Sequence, residues 1–234
     1  MFKIKFAIPH LFTLGNLALG IIAIKLAFEG DYTSAAYCVF MGAILDFFDG
    51  FVARLLKVPS ELGKQLDTLA DMVTFGVVPG IFIYKMMGCT CPISYTFLAI
   101  PLFSAIRLAK FNLDTRQSNT FIGVPTPAVA LTVACMFILY STKEITLLNN
   151  LLHNKESLAL ISVLFGLLLV SPFEMLALKF KSYDLKLNWP KYLLILLAIL
   201  LLAMFKVSGG VYLFMVYVLL SLMVNFVPSK KTEE

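Results

Sequence analysis

Two pairs of aspartates in the first third of the chain have the spacing of residues that act together. Asp46 and Asp49 are three residues apart and Asp67 and Asp71 are four apart, so each pair shares one face of a helix. The surrounding sequence is strongly apolar, and a charged aspartate near the centre of a membrane helix costs roughly 2.5–3.5 kcal/mol on insertion scales. The short link at residues 56–66 predicts antiparallel neighbouring helices that bring all four carboxylates into one pocket.

Such a pocket is suited to hard divalent cations. Four carboxylates cannot all remain ionised in a low-dielectric site without positive charge, and Arg54 supplies only one. Oxygen ligands favour magnesium, manganese or calcium over zinc, which prefers His or Cys. Pairing with Lys or Arg, or placement among lipid headgroups, is the competing interpretation, and four aspartates at this spacing disfavour it. The small residues Gly50, Ala53 and Gly63 leave room for a ligand.

The elements that must position these aspartates are membrane helices. The chain has 234 residues, of which 60% are hydrophobic and 14% charged, and its mean hydropathy is +0.90. This predicts an all-α fold, a polytopic integral membrane helix bundle with about eight transmembrane helices. The predicted spans are residues 11–28, 33–56, 66–87, 93–109, 123–142, 158–178, 191–207 and 211–227. Gly209 and Gly210 are expected to form the turn between the last two.

We expect a single membrane domain, residues 1–234. Residues 1–180 would form a catalytic core of six helices, and residues 187–227 an additional C-terminal helix pair. Lys3 and Lys5 precede the first apolar run as in a secretory signal, but there is no small-residue cleavage site, so the first helix is expected to remain in the protein. The four cysteines indicate neither a disulfide scaffold nor a metal site.

The distribution of basic residues predicts the orientation. If the N-terminus is cytoplasmic and there are eight spans, fourteen of the 19 Lys and Arg residues lie on the cytoplasmic side. This predicts a multi-pass protein of the cell membrane with both termini and the active site in the cytoplasm. The net charge of +5 is then explained by orientation and by attraction to anionic membrane lipid, and we expect no nucleic-acid partner.

The aspartates belong to a longer pattern of fixed positions. These are Asp46, Asp49, Gly50, Ala53, Arg54, Gly63, Asp67 and Asp71, within 26 residues. In residue types and spacing the pattern resembles the signature of the CDP-alcohol phosphotransferase family, membrane enzymes that transfer a phosphatidyl group from a CDP-linked lipid to an alcohol. The resemblance implies the family's helical fold and a homodimer.

The resemblance also implies a role for each motif residue. Two metal ions would be held by Asp46, Asp49 and Asp67, with Asp71 touching the second metal. Asp71 would also be the general base that takes the proton from the attacking hydroxyl. The CDP moiety of the donor would contact Gly50, Arg54 and Ser60.

Four further segments resemble the branch of this family that transfers to serine. They are residues 9–16 (PHLFTLGN), 63–79 (GKQLDTLADMVTFGVVP), 107–112 (RLAKFN) and 121–127 (FIGVPTP). The branch implies CDP-diacylglycerol and L-serine as substrates and phosphatidylserine and CMP as products. His10 departs from the branch, which more often has Asn there; a neutral histidine can also donate and accept hydrogen bonds.

The acceptor site is predicted from the carboxylate of serine, which requires a cation in its binding site. Arg107 is expected to bind the serine carboxylate, with Lys110 and Asn112 beside it. Both cations could instead extend towards lipid headgroups. Two alternatives for the whole protein remain open at this point. One is a sister enzyme that uses glycerol 3-phosphate or inositol phosphate as acceptor, and the other is a cation-coupled transporter with buried carboxylates.

Overall fold

The computed structural model describes residues 2–58, 60–113, 121–142, 148–176 and 185–226. Nine α-helices lie within these ranges. They are α1 (Phe2–Glu29), α2 (Tyr32–Leu55), α3 (Glu61–Asp71), α4 (Val78–Met87), α5 (Ala99–Leu113), α6 (Thr126–Thr142), α7 (Asn149–Leu152), α8 (Lys155–Leu169) and α9 (Leu185–Phe226). A π-helical turn, Met72–Val77, joins α3 to α4, and a 3₁₀ segment, Pro92–Leu98, precedes α5.

The predicted all-α class is confirmed for the described residues. One short exception is an antiparallel pairing of β1 (Phe121–Ile122) with β2 (Glu174–Met175). Five helical stretches are long and apolar enough to cross a membrane: Ala7–Glu29, Tyr32–Leu55, Glu61–Met87, Pro92–Leu113 and Asn188–Val224. The last of these folds back on itself and therefore provides two segments. With the shorter apolar helices α6 and α8, the described residues contain eight apolar helical segments.

Two predicted boundaries are wrong. The sixth span was expected to reach residue 178, but α8 ends at Leu169 because Ser171 and Pro172 follow, and proline disfavours helix at itself and at the residue before it. The turn between the last two spans lies at Lys206, whose φ is +47° and ψ −120°, and not at the glycines. Gly209 packs directly against the backbone of Leu201, which a straight helix would hold about 12 Å away.

Helix ends are set by local side chains. Ser60 begins α3, where its hydroxyl accepts a hydrogen bond from the backbone N–H of Gly63 at 3.0 Å. Asp31 caps α2 in the same way through Ser34, at 3.1 Å. At the other end of the bundle α4 stops at Gly88, which has a φ of +61°. The disulfide between Cys89 and Cys91 lies within the loop that follows, so it links no separate elements.

The first three helices pack closely around the π-helical turn. Thr74 in this turn is fully buried and donates a hydrogen bond to the backbone oxygen of Asn16 at 3.0 Å. Its side chain fits between the helices because Gly20 and Gly42 face it; a methyl group at Gly42 would come within 2.9 Å of both Thr74 Cγ2 and Asn16 Oδ1. The close packing holds α1 and α2 next to the aspartates at the end of α3.

The core of the bundle is built around α6. This helix packs against α2, α4 and α9 and is buried along nearly its whole length. Its Phe137 stacks on Phe82 with ring centroids 4.0 Å apart. Large apolar side chains elsewhere lie on the outside, such as Leu11 and Phe47, which are 73% and 64% exposed. An apolar exterior of this kind is stable in a lipid bilayer and costly in water.

Candidate active site

Three of the predicted aspartates form one cluster. Carboxylate oxygens of Asp46, Asp49 and Asp67 all lie within 4.8 Å of one another. The first two come from the C-terminal half of α2 and the third from α3, so the predicted convergence of the carboxylates is confirmed. The helix that packs closely against both α2 and α3 is α1. Asp71, one turn further along α3, lies beside Asp46 and interacts electrostatically with all three. The structure therefore brings the four aspartates together.

Two polar residues of α1 hold aspartates of the cluster. The Thr13 hydroxyl donates a hydrogen bond to Asp49 at 2.7 Å, and the Asn16 amide donates one to Asp71 at 3.4 Å. Thr13 is 3% exposed and Asn16 is fully buried. The sequence interpretation assigned neither residue a role. The sequence feature that could have indicated them is a pair of polar side chains three residues apart within an apolar helix.

The cluster opens into a pocket of about 220 Å³. Its lining includes Asp49 and Asp67, the predicted donor-binding residues Gly50 and Ser60, and His10. The space in front of Gly50 is open, because no atom lies within 4 Å of the point that a methyl group on its Cα would occupy. His10 lies against Gly63, and its Nδ1 is buried with no hydrogen-bond partner among the described residues.

Arg54 lies at the surface beside this pocket. Its Nε donates a hydrogen bond to the backbone oxygen of Gly50 one turn earlier, at 3.0 Å. The guanidinium is exposed and stays on the same helix as the pocket-lining glycine. It forms no ion pair with an aspartate of the cluster in the described part of the chain.

Arg107 of α5 lies near Asp71. It is 8% exposed, and it donates a hydrogen bond from Nη1 to the Thr126 hydroxyl at the start of α6, at 3.4 Å. Asp71 and Tyr217 of α9 are both close enough to interact with its charge. Its Nε is buried without a hydrogen-bond partner among the described residues. A buried guanidinium with an unused N–H is suited to binding an anionic group.

The other two predicted acceptor residues lie elsewhere on α5. Lys110 is exposed, whereas Arg107 is buried. Asn112 points towards α3, where its amide donates a hydrogen bond to the Thr68 hydroxyl at 2.8 Å. Lys64 of α3 in turn donates to the backbone oxygen of Asn112 at 3.3 Å. The structure therefore does not bring these two residues together with Arg107.

The donor set of the cluster fits a divalent cation. Three carboxylates converge, and Asp67 Oδ1 is buried with no hydrogen-bond partner among the described residues. Within those same residues no Lys or Arg forms an ion pair with any of the four aspartates. A converging set of carboxylate oxygens that no Lys or Arg of the described residues pairs with is suited to a hard metal ion.

A bundle of membrane helices with this acidic cluster at the ends of α2 and α3 defines a class of integral membrane phosphotransferases. The sequence model of the CDP-alcohol phosphatidyltransferase family matches residues 6–170. The chain belongs to this family. The match covers all four aspartates, Arg107 and the segment that begins α6.

Curated relatives agree with this assignment. The chain is 38% identical over 192 residues to a CDP-diacylglycerol--serine O-phosphatidyltransferase of Helicobacter pylori, covering 76% of each protein. It is 37% identical over 142 residues to the enzyme of the same name from Bacillus subtilis, covering 58% of this chain and 76% of the relative. An archaetidylserine synthase of Methanothermobacter thermautotrophicus is 29% identical over 140 residues, covering 56% of this chain and 58% of the relative.

Proposed function

We propose that this protein transfers the phosphatidyl group of CDP-diacylglycerol to L-serine, forming phosphatidylserine and CMP. The observation that carries the proposal is the position of Arg107: a buried cation with an unused N–H lies beside Asp71, at the edge of the acidic cluster. A serine molecule held there by its carboxylate would place its hydroxyl near Asp71. The names of the two bacterial relatives specify the same donor and acceptor.

The donor occupies the pocket between α1, α2 and α3 in this proposal. Gly50 and Ser60 line it, and the open space before Gly50 admits a bulky phosphate close to the α2 backbone. Arg54 lies at its surface, where its guanidinium can pair with a phosphate oxygen. These three residues contact the CDP moiety.

The cation ligands are Asp46, Asp49 and Asp67, joined by Asp71 at a second position. The site would hold two divalent ions. Magnesium or manganese, with calcium as a further candidate, suits ligands that are carboxylates. Bound metal would supply charge stabilisation for the pyrophosphate and the departing CMP. The Thr13 hydroxyl fixes the orientation of Asp49, so the cluster is preformed on the α1 side.

Asp71 accepts the proton of the serine hydroxyl in this scheme. The hydrogen bond from buried Asn16 orients one carboxylate oxygen of this base. The hydroxyl oxygen attacks the phosphorus that bears diacylglycerol, the bond from that phosphorus to the CMP oxygen breaks, and CMP leaves. Asn16 is thus a positioning residue for the base.

The acceptor is tested by competition between alcohols. Purified protein with metal and CDP-diacylglycerol should release CMP fastest with L-serine, because its carboxylate pairs with Arg107 and the sequence offers no further basic cluster for a phosphorylated acceptor. The measurement is the CMP release rate with serine, glycerol 3-phosphate or inositol phosphate as the single acceptor. Faster release with glycerol 3-phosphate would overturn the assignment. Absence of any CMP release under all conditions would favour a transporter.

Replacing Arg107 should weaken serine binding more than turnover. Arg107→Ala should raise the KM for serine by about 10- to 100-fold, because hydrogen bonds to charged groups are among the strongest in proteins. Arg107→Lys should recover only part of this, since an ammonium cannot form the two-pronged contact with a carboxylate. The comparison is Lys110→Ala, which removes an exposed cation from the same helix and should change the KM far less. Equal effects at the two positions would show that both residues act through membrane lipid.

The orientation, domain organisation and assembly are part of the same proposal. The cluster, Arg107 and the β1–β2 pairing lie at one end of the bundle, together with exposed Lys64 and Lys110. A basic end of this kind favours the cytoplasmic side, which would place the active site and both termini there. We propose a single membrane domain with a six-helix core in residues 1–180 and a helix pair in 187–227, assembled as a homodimer in a bilayer of anionic lipid.

A further inference from the structure

The C-terminal helix pair reaches the acceptor side of the active site. Tyr217 lies on the second half of α9, is partly buried, and is close enough to Arg107 to interact electrostatically with it. Asp71 interacts with the same guanidinium. Arg107 therefore lies where four elements meet: its own helix α5, the end of α3, the start of α6 through Thr126, and α9.

Tyr217 and Ser221 of α9 both form hydrogen bonds with the backbone of one residue outside their helix, Leu176. The Tyr217 hydroxyl donates a hydrogen bond to the backbone oxygen of Leu176 at 3.4 Å. The Leu176 backbone N–H donates to the Ser221 hydroxyl at 3.2 Å, and that hydroxyl donates to the Tyr217 backbone oxygen at 2.7 Å. Ser221 is 1% exposed. Both polar groups of Leu176 are thus satisfied by one turn of α9.

The segment held in this way supports the loop that carries Thr126. Leu176 directly follows β2, whose pairing with β1 aligns Phe121 with Met175. Two backbone hydrogen bonds continue the contact, from Gly123 to Phe173 at 2.9 Å and from Val124 to Leu168 at 3.0 Å. Gly123 has a φ of +76° and packs on the backbone of Leu169, so a side chain there would be strained and obstructed.

We propose that the C-terminal helix pair completes the acceptor site, with Tyr217 as the positioning residue that orients Arg107. This inference rests on the proposed function, because it concerns the cation assigned to the serine carboxylate. Tyr217 acts in two ways: it is close enough to Arg107 to interact electrostatically with the guanidinium, and its hydrogen bond to Leu176 supports the strand pairing and hence the loop that carries Thr126. The helix pair thereby becomes part of acceptor recognition and does more than anchor the chain in the membrane.

The test is a comparison of two tyrosine-to-phenylalanine variants on α9. Tyr217→Phe keeps the ring and removes the hydroxyl, and it should raise the KM for serine by about 3- to 10-fold, the effect of losing one hydrogen bond, with a smaller change in kcat. Ser221→Ala should act in the same direction, because it removes the partner of the Leu176 N–H. The matched control is Tyr212→Phe. The ring of Tyr212 packs against Phe205 in a T-shaped contact near the turn at Lys206. This control should leave the KM unchanged.

A purely structural effect would have a different signature. Loss of folded protein lowers the measured rate without changing the KM, so an unchanged KM in Tyr217→Phe would overturn the inference whatever the yield. A double-mutant cycle gives a second readout: in an Arg107→Lys background, Tyr217→Phe should add little, because the contact it supports has already been altered. Full additivity of the two effects on the KM would also overturn it.

The same experiment separates this inference from the proposed function. Wild-type protein is assayed first for serine-dependent CMP release from CDP-diacylglycerol. If wild type shows none, the proposed acceptor is wrong and the inference falls with it. If wild type shows it and Tyr217→Phe matches the Tyr212→Phe control, the proposed function stands and only the role of α9 is rejected.

Discussion

Replacement of any one of the three clustered aspartates should abolish transfer while the protein still inserts into the membrane. We expect Asp46→Asn, Asp49→Asn and Asp67→Asn each to lower CMP release by more than about 10²-fold, beyond the loss typical for residues that only support metal ligands. The reason is geometric and electrostatic. Asparagine has nearly the same shape as aspartate but lacks its charge, and the three carboxylates converge within 4.8 Å.

The matched control for this series is Asp31→Asn. Asp31 lies at the opposite end of α2, where it caps the helix through Ser34, and asparagine is an equally good cap. Its replacement should leave transfer unchanged. Removal of divalent metal with a chelator should reproduce the loss in wild-type protein, and addition of metal should reverse it. Near wild-type turnover of one Asn variant at saturating metal would remove that aspartate from the proposed ligands.

Replacement of Asp71 should affect the chemical step more than donor binding. We expect Asp71→Asn to lower kcat by about 10²- to 10⁴-fold, the usual contribution of a general base, with a much smaller change in the affinity for CDP-diacylglycerol. The physical reason is that the variant keeps a hydrogen-bonding partner for Asn16 but cannot accept the proton of the serine hydroxyl. Turnover and donor binding are measured separately, by CMP release and by equilibrium binding of the CDP-lipid.

The ratio of the two losses decides the role of Asp71. A fall in donor affinity as large as the fall in kcat would identify Asp71 as a metal ligand without a role as base. The comparison with Asp67→Asn on the same helix is informative, because that variant should impair donor binding and turnover together. The two residues are four apart and share one helix face, so a general disturbance of α3 would affect both variants alike.

The acidic cluster was predictable because its determinants are local. Spacings of three and four put each aspartate pair on one helix face, and the short link between α2 and α3 keeps the two pairs close in space. The number of apolar segments followed from composition and length in the same way. These conclusions depend on residues close in sequence, and the structure confirms that the aspartates converge.

The surroundings of Arg107 were not predictable in this way. Its sequence position fits an interfacial cation as well as a buried one, and the tertiary packing buries it beside Asp71 and Tyr217, which are 36 and 110 residues away. The hydrogen bond from Asn16 to Asp71 likewise joins residues 55 apart. Contacts at such separations depend on how whole helices pack, and no local pattern encodes them.

The C-terminal helices show where local reasoning fails. Two adjacent glycines indicated a turn, yet the chain reverses at Lys206, and Gly209 and Gly210 instead permit close packing on Leu201 and Cys135. Glycine serves equally well for a turn and for a close helix contact, so its position alone cannot distinguish them. The sequence by itself determined the family motif, the helical class and the acidic site. Only the tertiary structure decided which polar residues surround that site, because their burial depends on helices distant in the chain.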